Sequence, residues 1–177
     1  MAMDLITTNT PSGAATSVFT SSIDSTYPLY IFVGTNIGPA TDNVHLYFDG
    51  STDGGSNYGV TATNNSTRSY GYEASGAGSA FQYASYHLNN ASDSWNIAVS
   101  MGSDADQGSA FILNLFNPSD TTFVKHVICN SCDVGQADAH FKYMTNGYFN
   151  TTSAITAVRF KMSSGNFDGT IKMYGVK

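Results

Sequence analysis

Four residues of the types that bind zinc lie close together in the last third of the sequence, at His126, Cys129, Cys132 and His140. Thiolates and imidazoles are preferred zinc ligands, and four of them would complete a tetrahedral site. Structural zinc sites, however, usually combine two closely spaced ligand pairs, and these two cysteines make the only Cys-x-x-Cys pair. On a strand, His126 and Cys129 would point to opposite faces because their separation is odd. The set therefore predicts either a zinc site or, as we favour, two reduced thiols near a strand end.

Three tyrosines in polar, glycine-rich stretches form a second candidate set, namely Tyr58, Tyr70 and Tyr72. Sugar-binding sites place planar aromatic rings beside amide and carboxylate groups that bind the sugar hydroxyls. Tyrosine also fills the edges of β-sandwiches, where the ring packs and the hydroxyl stays in water. Both interpretations stay open, and the abundance of tyrosine in this chain favours packing.

No arrangement of residues predicts catalysis. The chain lacks a Gly-x-Ser-x-Gly nucleophile motif, and its histidines lie singly among strand residues. Glycoside hydrolysis needs two opposed carboxylates, but Glu73 is the only glutamate and the aspartates sit mostly in turns. Asp104 and Asp106 resemble the beginning of an EF-hand loop, yet Leu115 occupies the position of the bidentate glutamate. We expect a protein that is not an enzyme and carries no cofactor.

The elements that would position these side chains are β-strands. Val158, Phe160 and Met162 alternate with Arg159 and Lys161, which is the period-two pattern of a half-buried strand. A glycine-rich turn and a second amphipathic strand follow, so the C-terminal stretch predicts a hairpin whose apolar face needs a partner sheet. Further strands are predicted at residues 44–49, 81–88, 95–101, 111–116, 123–129 and 141–143. Residues 27–34 are apolar on both faces, which predicts a central strand that is buried on both sides.

These patterns together predict an all-β fold, an antiparallel two-sheet β-sandwich of jelly-roll type with about eight to ten strands. The irregular stretch at residues 64–78 is expected to be a surface loop or an edge strand. Residues 1–13 lack a period and are expected to be an extended N-terminal arm, either loose or docked on a neighbour. Residues 14–177 would then form a single sandwich domain.

Composition restricts the partners. Apolar residues make up 41% of the 177 residues, enough for a sizeable core, whereas only 11% are charged and the net charge is −6. Seven scattered lysines and arginines provide no footprint for nucleic acid. No apolar run is long enough to span a membrane, and the acidic N-terminus does not resemble a signal peptide. A neutral polar surface of this kind suits a β-sandwich made in the cytoplasm, or a member of an assembly.

Three stretches, residues 23–58, 116–126 and 154–176, resemble a group of tailed-bacteriophage virion proteins in order and spacing. The shared features are a strand after S-T-Y, a P-A-T-D turn, a G-G-S-x-Y hairpin and a closing G-T-I-x-x-Y-G. The resemblance extends over most of residues 17–176. The chain lacks the repetitive shaft of a complete tail fibre, and the cysteine and histidine set has no counterpart in the group.

This resemblance implies a non-enzymatic structural protein of a bacteriophage virion, assembled in the host cytoplasm. The protein would be displayed on the particle surface as a head decoration or as a short fibre or knob. Its partners would be copies of itself, as a homotrimer, together with the major capsid or tail proteins. The alternative is a tail-associated module that binds a receptor or glycan on the host surface.

Overall fold

The fold is described from a computed structural model, and the description covers residues 2–73, 78–82 and 84–177. These residues form thirteen β-strands and one short 3₁₀ turn, without an α-helix. The all-β, antiparallel prediction is therefore confirmed, although the described strands outnumber the expected eight to ten. The additional strands include short ones and strands with polar inward faces, which hydrophobic alternation does not reveal.

In chain order the strands are β1 (Met3–Asn9), β2 (Thr16–Phe19), β3 (Leu29–Pro39), β4 (Val44–Ser51), β5 (Ala62–Tyr72), β6 (Ser79–Gln82), β7 (Asn89–Ala91), β8 (Trp95–Met101), β9 (Ser109–Phe116), β10 (Lys125–Gly135), β11 (Ala139–Phe149), β12 (Ala157–Met162) and β13 (Phe167–Val176). The 3₁₀ turn is Ala84–Tyr86, between β6 and β7.

All of these strands belong to one hydrogen-bonded sheet. Its main path is β1-β13-β3-β9-β10-β8-β4-β12-β2, while β11 pairs with β10 and carries β5, β6 and β7 beyond it. At the two ends of the path, the Asn9 amide donates to Ser17 Oγ at 3.2 Å and to the Val18 carbonyl oxygen at 2.8 Å. The sheet is therefore nearly closed and barrel-like, and its finer division into a jelly-roll sandwich stays a prediction.

Aromatic side chains from opposite walls of the barrel meet in the core. Phe160 of β12 lies with its ring centre 5.4 Å from that of Phe111 on β9 and 5.6 Å from that of Phe32 on β3. Phe19 of β2 contacts Phe32 at 5.3 Å, edge to face. Burying an apolar side chain of this size stabilises the fold by about 1.5–3 kcal/mol, so this cluster holds the walls together. The predicted inward direction of Phe160 is confirmed.

The stretch at residues 64–78 was expected to be a surface loop or an edge strand, and for residues 64–72 this is wrong. β5 runs through residues 62–72, pairs with β11 along its whole length, and has β6 and β7 on its other side. Its inward face includes Asn64 and Ser66, which are buried although polar. The Asn64 amide donates to Thr145 Oγ1 at 3.0 Å, which compensates its burial. Residues 74–77 lie outside the described residues.

The N-terminal residues are extended and pair with a strand of the same chain. Residues 3–9 pair antiparallel with β13, from Met3 opposite Val176 to Asn9 opposite Ile171. Among the described strands, β1 has a neighbour on one side only, so half of its backbone groups face away from the sheet. The arm is thus an edge strand of the barrel.

A bulge in β8 is held by two ionisable side chains. Ser100 adopts a left-handed conformation with φ 55°, and the β4–β8 register shifts beside it. The Val99 N–H donates to Asp133 Oδ2 at 3.4 Å, and the Ser100 N–H donates to His45 Nδ1 at 3.0 Å. Burial, aided by a nearby arginine, lowers the pKa of His45 and keeps its ring a neutral acceptor. These side chains accept the N–H groups that the irregular ladder leaves unpaired.

Asp133 is fully buried and has no cationic partner among the described residues. Its carboxyl accepts hydrogen bonds from the Ser109 and Ser131 hydroxyls. Burial nevertheless dominates and raises the pKa of Asp133 to about 7, because a charge is costly in an environment of low polarity. The protonated carboxyl is therefore the form that the fold favours.

We expect Asp133→Asn to change how stability depends on pH. In the unfolded chain Asp133 would ionise near its ordinary pKa of 3.8, whereas in the folded protein its pKa is about 7. The contribution of Asp133 to the free energy of unfolding is therefore complete at low pH and is lost as the pH rises between these two values. From pH 4 to pH 8, the free energy of unfolding of the variant should therefore rise relative to wild type, on the order of 4 kcal/mol. Urea unfolding at a series of pH values measures this difference.

Asp106→Asn removes an exposed carboxylate and serves as the matched control for that series. Its difference from wild type should stay flat over the same range. A flat difference for Asp133→Asn as well would contradict the assignment of Asp133 as a buried, uncompensated carboxyl.

Candidate interaction surface

The outward face of β9, β10 and β11 carries exposed apolar side chains. Ile112, Ile128 and Met144 are 50%, 42% and 40% exposed, respectively. Asn130 of β10 pairs with Ile112 on one side and with Met144 on the other, and Ile128 lies two residues before it on the same face. Val33 of β3 pairs with Ile112 and is half-buried. Diagonal neighbours on a sheet are within reach of long side chains, so these residues form one apolar band.

The band, defined as Val33, Ile112, Ile128 and Met144, borders a shallow groove of about 510 Å³. The groove is lined mainly by small and apolar residues, with Lys142 as the one charged side chain among those described. Single exposed apolar residues are ordinary on protein surfaces, but contiguous ones mark sites of interaction. The band is therefore the strongest candidate for a contact surface in the described part of the chain.

Sequence reasoning missed this band because the strands that carry it do not separate apolar from polar residues. In β10 the inward positions include Cys129, Ser131 and Asp133, while Ile128 faces outward. The residues of the band also come from four different strands, and only the register brings them together. One signal in the sequence was the adjacent apolar pair Val127 and Ile128. Neighbouring residues on a strand face opposite ways, so one of the two had to lie on the outward face.

The predicted zinc ligands do not share one face. His126 and Cys132 lie on the outward face of β10, and His140 lies on the outward face of β11. Cys129 points inward and is buried, as the odd spacing from His126 predicts. Cys132 pairs with Lys142, whereas His140 pairs with Val134. The described residues contain no group of three or more side chains placed to hold a metal ion.

The two cysteines should differ in reactivity. Burial, with the neighbouring Asp133, raises the pKa of the Cys129 thiol, while Cys132 is exposed. Ellman's reagent should therefore modify one thiol per native chain quickly and the second only after unfolding. Cys132→Ser should abolish the fast reaction and Cys129→Ser should leave it intact. Two fast thiols per native chain would show that Cys129 is not shielded as described.

The predicted glycan-binding tyrosines lie in two separate places. Tyr58 stacks on the Arg159 guanidinium, 4.3 Å from the ring centre. That guanidinium donates from Nε and Nη2 to one oxygen of the buried Asp49, at 3.0 and 2.8 Å. Burial raises the pKa of the Tyr58 hydroxyl. Tyr58 therefore covers an ion pair, where its ring excludes water.

Tyr70 and Tyr72 lie together on β5, edge to face, with ring centres 5.6 Å apart. Tyr70 also packs beside Arg68, whose guanidinium lies over the ring of Phe141 at 4.8 Å. No ring contact joins Tyr58 to either of these tyrosines within the described residues. Sugar binding at Tyr58, Tyr70 and Tyr72 stays a prediction.

Comparison of the chain with protein-family models, with curated proteins and with solved structures gave no match. In the described residues, no helix has the length and apolar character needed to cross a membrane. The fold defines the class of this chain, an all-β protein built on one antiparallel sheet. The function is therefore inferred from the chemistry of its surface.

Proposed function

We propose that this chain is a non-enzymatic structural protein that associates with copies of itself through the outward face of its sheet. The apolar band is the observation that carries the proposal, because its side chains gain from leaving water. The backbone beneath the band is paired on both sides along β9, β10 and β11. A face that is already ordered loses little conformational freedom on association.

Charge supports this choice of face. The chain has a net charge of −6, so close contact between copies is opposed by repulsion. The described outward positions of β9, β10 and β11 include Lys142 and no carboxylate. Copies that meet through this face therefore keep their negative charges apart, and salt screens the remaining electrostatic repulsion between them.

We further propose that the assembly is a bacteriophage virion, on which the chain forms a head decoration or a short fibre or knob. The resemblance of residues 23–58, 116–126 and 154–176 to virion proteins supports this location. The jelly-roll sandwich, the homotrimer and contacts with major capsid or tail proteins belong to the same proposal. A symmetric assembly multiplies weak contacts through avidity, so a modest band on each copy is enough.

The substitution Ile112→Asp should break this association. A carboxylate at the centre of the band would be desolvated in the contact without a partner, so the dissociation constant should rise at least tenfold, or about 1.4 kcal/mol. Sedimentation velocity over a range of concentrations measures it, and circular dichroism checks that the fold is kept.

Val18→Asp is the matched control, because Val18 is 42% exposed but lies on β2, away from the band. It should leave the association unchanged. A wild-type chain that remains monomeric up to hundreds of micromolar, or equal loss of association in both variants, would refute the proposed contact.

The location is tested with antibody-gold labelling of intact phage particles. Label distributed over the head would support decoration, and label at the tail would favour the alternative, a receptor- or glycan-binding module. Particles that carry no label would contradict the virion proposal and leave self-association to be judged by sedimentation alone.

A further inference from the structure

We infer that a second site on this sheet, a cleft that meets the apolar band at Ile128, binds a neutral saccharide. The cleft has a volume of about 620 Å³. Its floor is the outward face of β5, β10 and β11, and its wall is formed by residues 82 and 84–89. Its polar lining is dominated by amides and rings, among them Asn65, Gln82, Asn89, His126, Asn146 and Tyr148. The inference does not rest on self-association.

The absence of charge defines the chemical class of the ligand. No aspartate, glutamate, lysine or arginine lines the cleft among the described residues. An ionic ligand would lose its hydration without gaining a counter-charge, and an apolar ligand would leave the amides unpaired. A carboxamide both donates and accepts hydrogen bonds, as a sugar hydroxyl does. An uncharged polyhydroxylated ligand is therefore the one that this lining complements.

The amides of the cleft divide into two sets. The Asn64 side chain is already occupied, since its amide donates to Thr145 Oγ1 at 3.0 Å and its Oδ1 accepts from the Leu88 N–H at 2.6 Å. The second set makes no side-chain hydrogen bond in the described part of the chain, and we call it the open amides. They are Asn65, Gln82, Asn89 and Asn146. These groups are available to a ligand.

A ring lies beside two of the open amides. Asn65 pairs directly with Asn146 across β5 and β11. Tyr148 follows Asn146 by two residues on the same strand and pairs with His126 of β10, with ring centres 6.1 Å apart. Successive residues on one face of a strand are about 7 Å apart, roughly the width of one sugar ring. This spacing lets one pyranose pack its C–H groups against Tyr148 while its hydroxyls meet the amides.

The wall of the cleft is fastened before any ligand arrives. The Leu88 N–H donates to Asn64 Oδ1 at 2.6 Å, and the Asn90 N–H donates to Thr63 Oγ1 at 3.1 Å. The ring of His87 donates from Nε2 to the Ser66 carbonyl oxygen at 3.3 Å. Because the cleft keeps its shape in the free protein, ligand binding requires little loss of conformational freedom in its wall.

The test is binding of the full chain to an array of neutral oligosaccharides, with sialylated and uronate-containing glycans on the same array. Neutral glycans should bind and the anionic ones should not. Calorimetry with the best neutral glycan should then show at least tenfold weaker binding for Asn146→Ala and for Tyr148→Ala. Asn146 is exposed, so its truncation should leave the circular dichroism spectrum unchanged.

Phe123→Ala is the matched control, since it removes an exposed aromatic ring that does not line the cleft. It should bind like wild type, and so should the Ile112→Asp variant, which separates saccharide binding from self-association. Failure of every neutral glycan to bind, a preference for anionic glycans, or loss of binding in Phe123→Ala but not in Asn146→Ala would overturn the inference.

Discussion

The contact of Phe160 with Phe32 and Phe111 across the barrel interior is the interaction on which the rest of the structure depends. Once these rings are buried, the side chains that alternate with them must face water, because strand side chains point to opposite faces in turn. Phe111 in the core thus places Ile112 on the surface, where it becomes the centre of the apolar band. The exposed surface is a direct consequence of how the core packs.

One sheet face carries two surfaces of different chemistry. In the part of the chain that the structure describes, the apolar band on β3, β9, β10 and β11 stays exposed, whereas the amide cleft is walled by residues 82 and 84–89. The wall is held to β5 by the buried Asn64, a residue with no partner evident in the sequence. The same sheet face thus presents an apolar band suited to protein contact and a walled cleft whose amides suit a hydroxylated ligand.

Much of the fold could be predicted wherever one face of a strand is apolar. β12, with Val158 and Phe160 inward, follows the expected alternation closely. β5 could not be recognised, because the polar residues Asn64 and Ser66 occupy its inward positions, and the Thr145 hydroxyl that accepts from the Asn64 amide lies on a strand distant in sequence. Among the candidate site residues, the opposite directions of His126 and Cys129 followed from their spacing. The contact of Tyr58 with Arg159 did not, because the two residues are far apart in the chain.

The sequence by itself determined the class of this protein: all-β, antiparallel, low in charge and without a recognisable catalytic set. These properties depend on composition and on alternation between neighbouring residues, which are local. Only the tertiary structure decided that Ile112 lies beside Ile128 and Met144, and that Asn65 lies opposite Asn146. The reason is physical, since strand register is set by packing and hydrogen bonds between distant segments, and shifting it by one residue would turn each of these side chains to the other face.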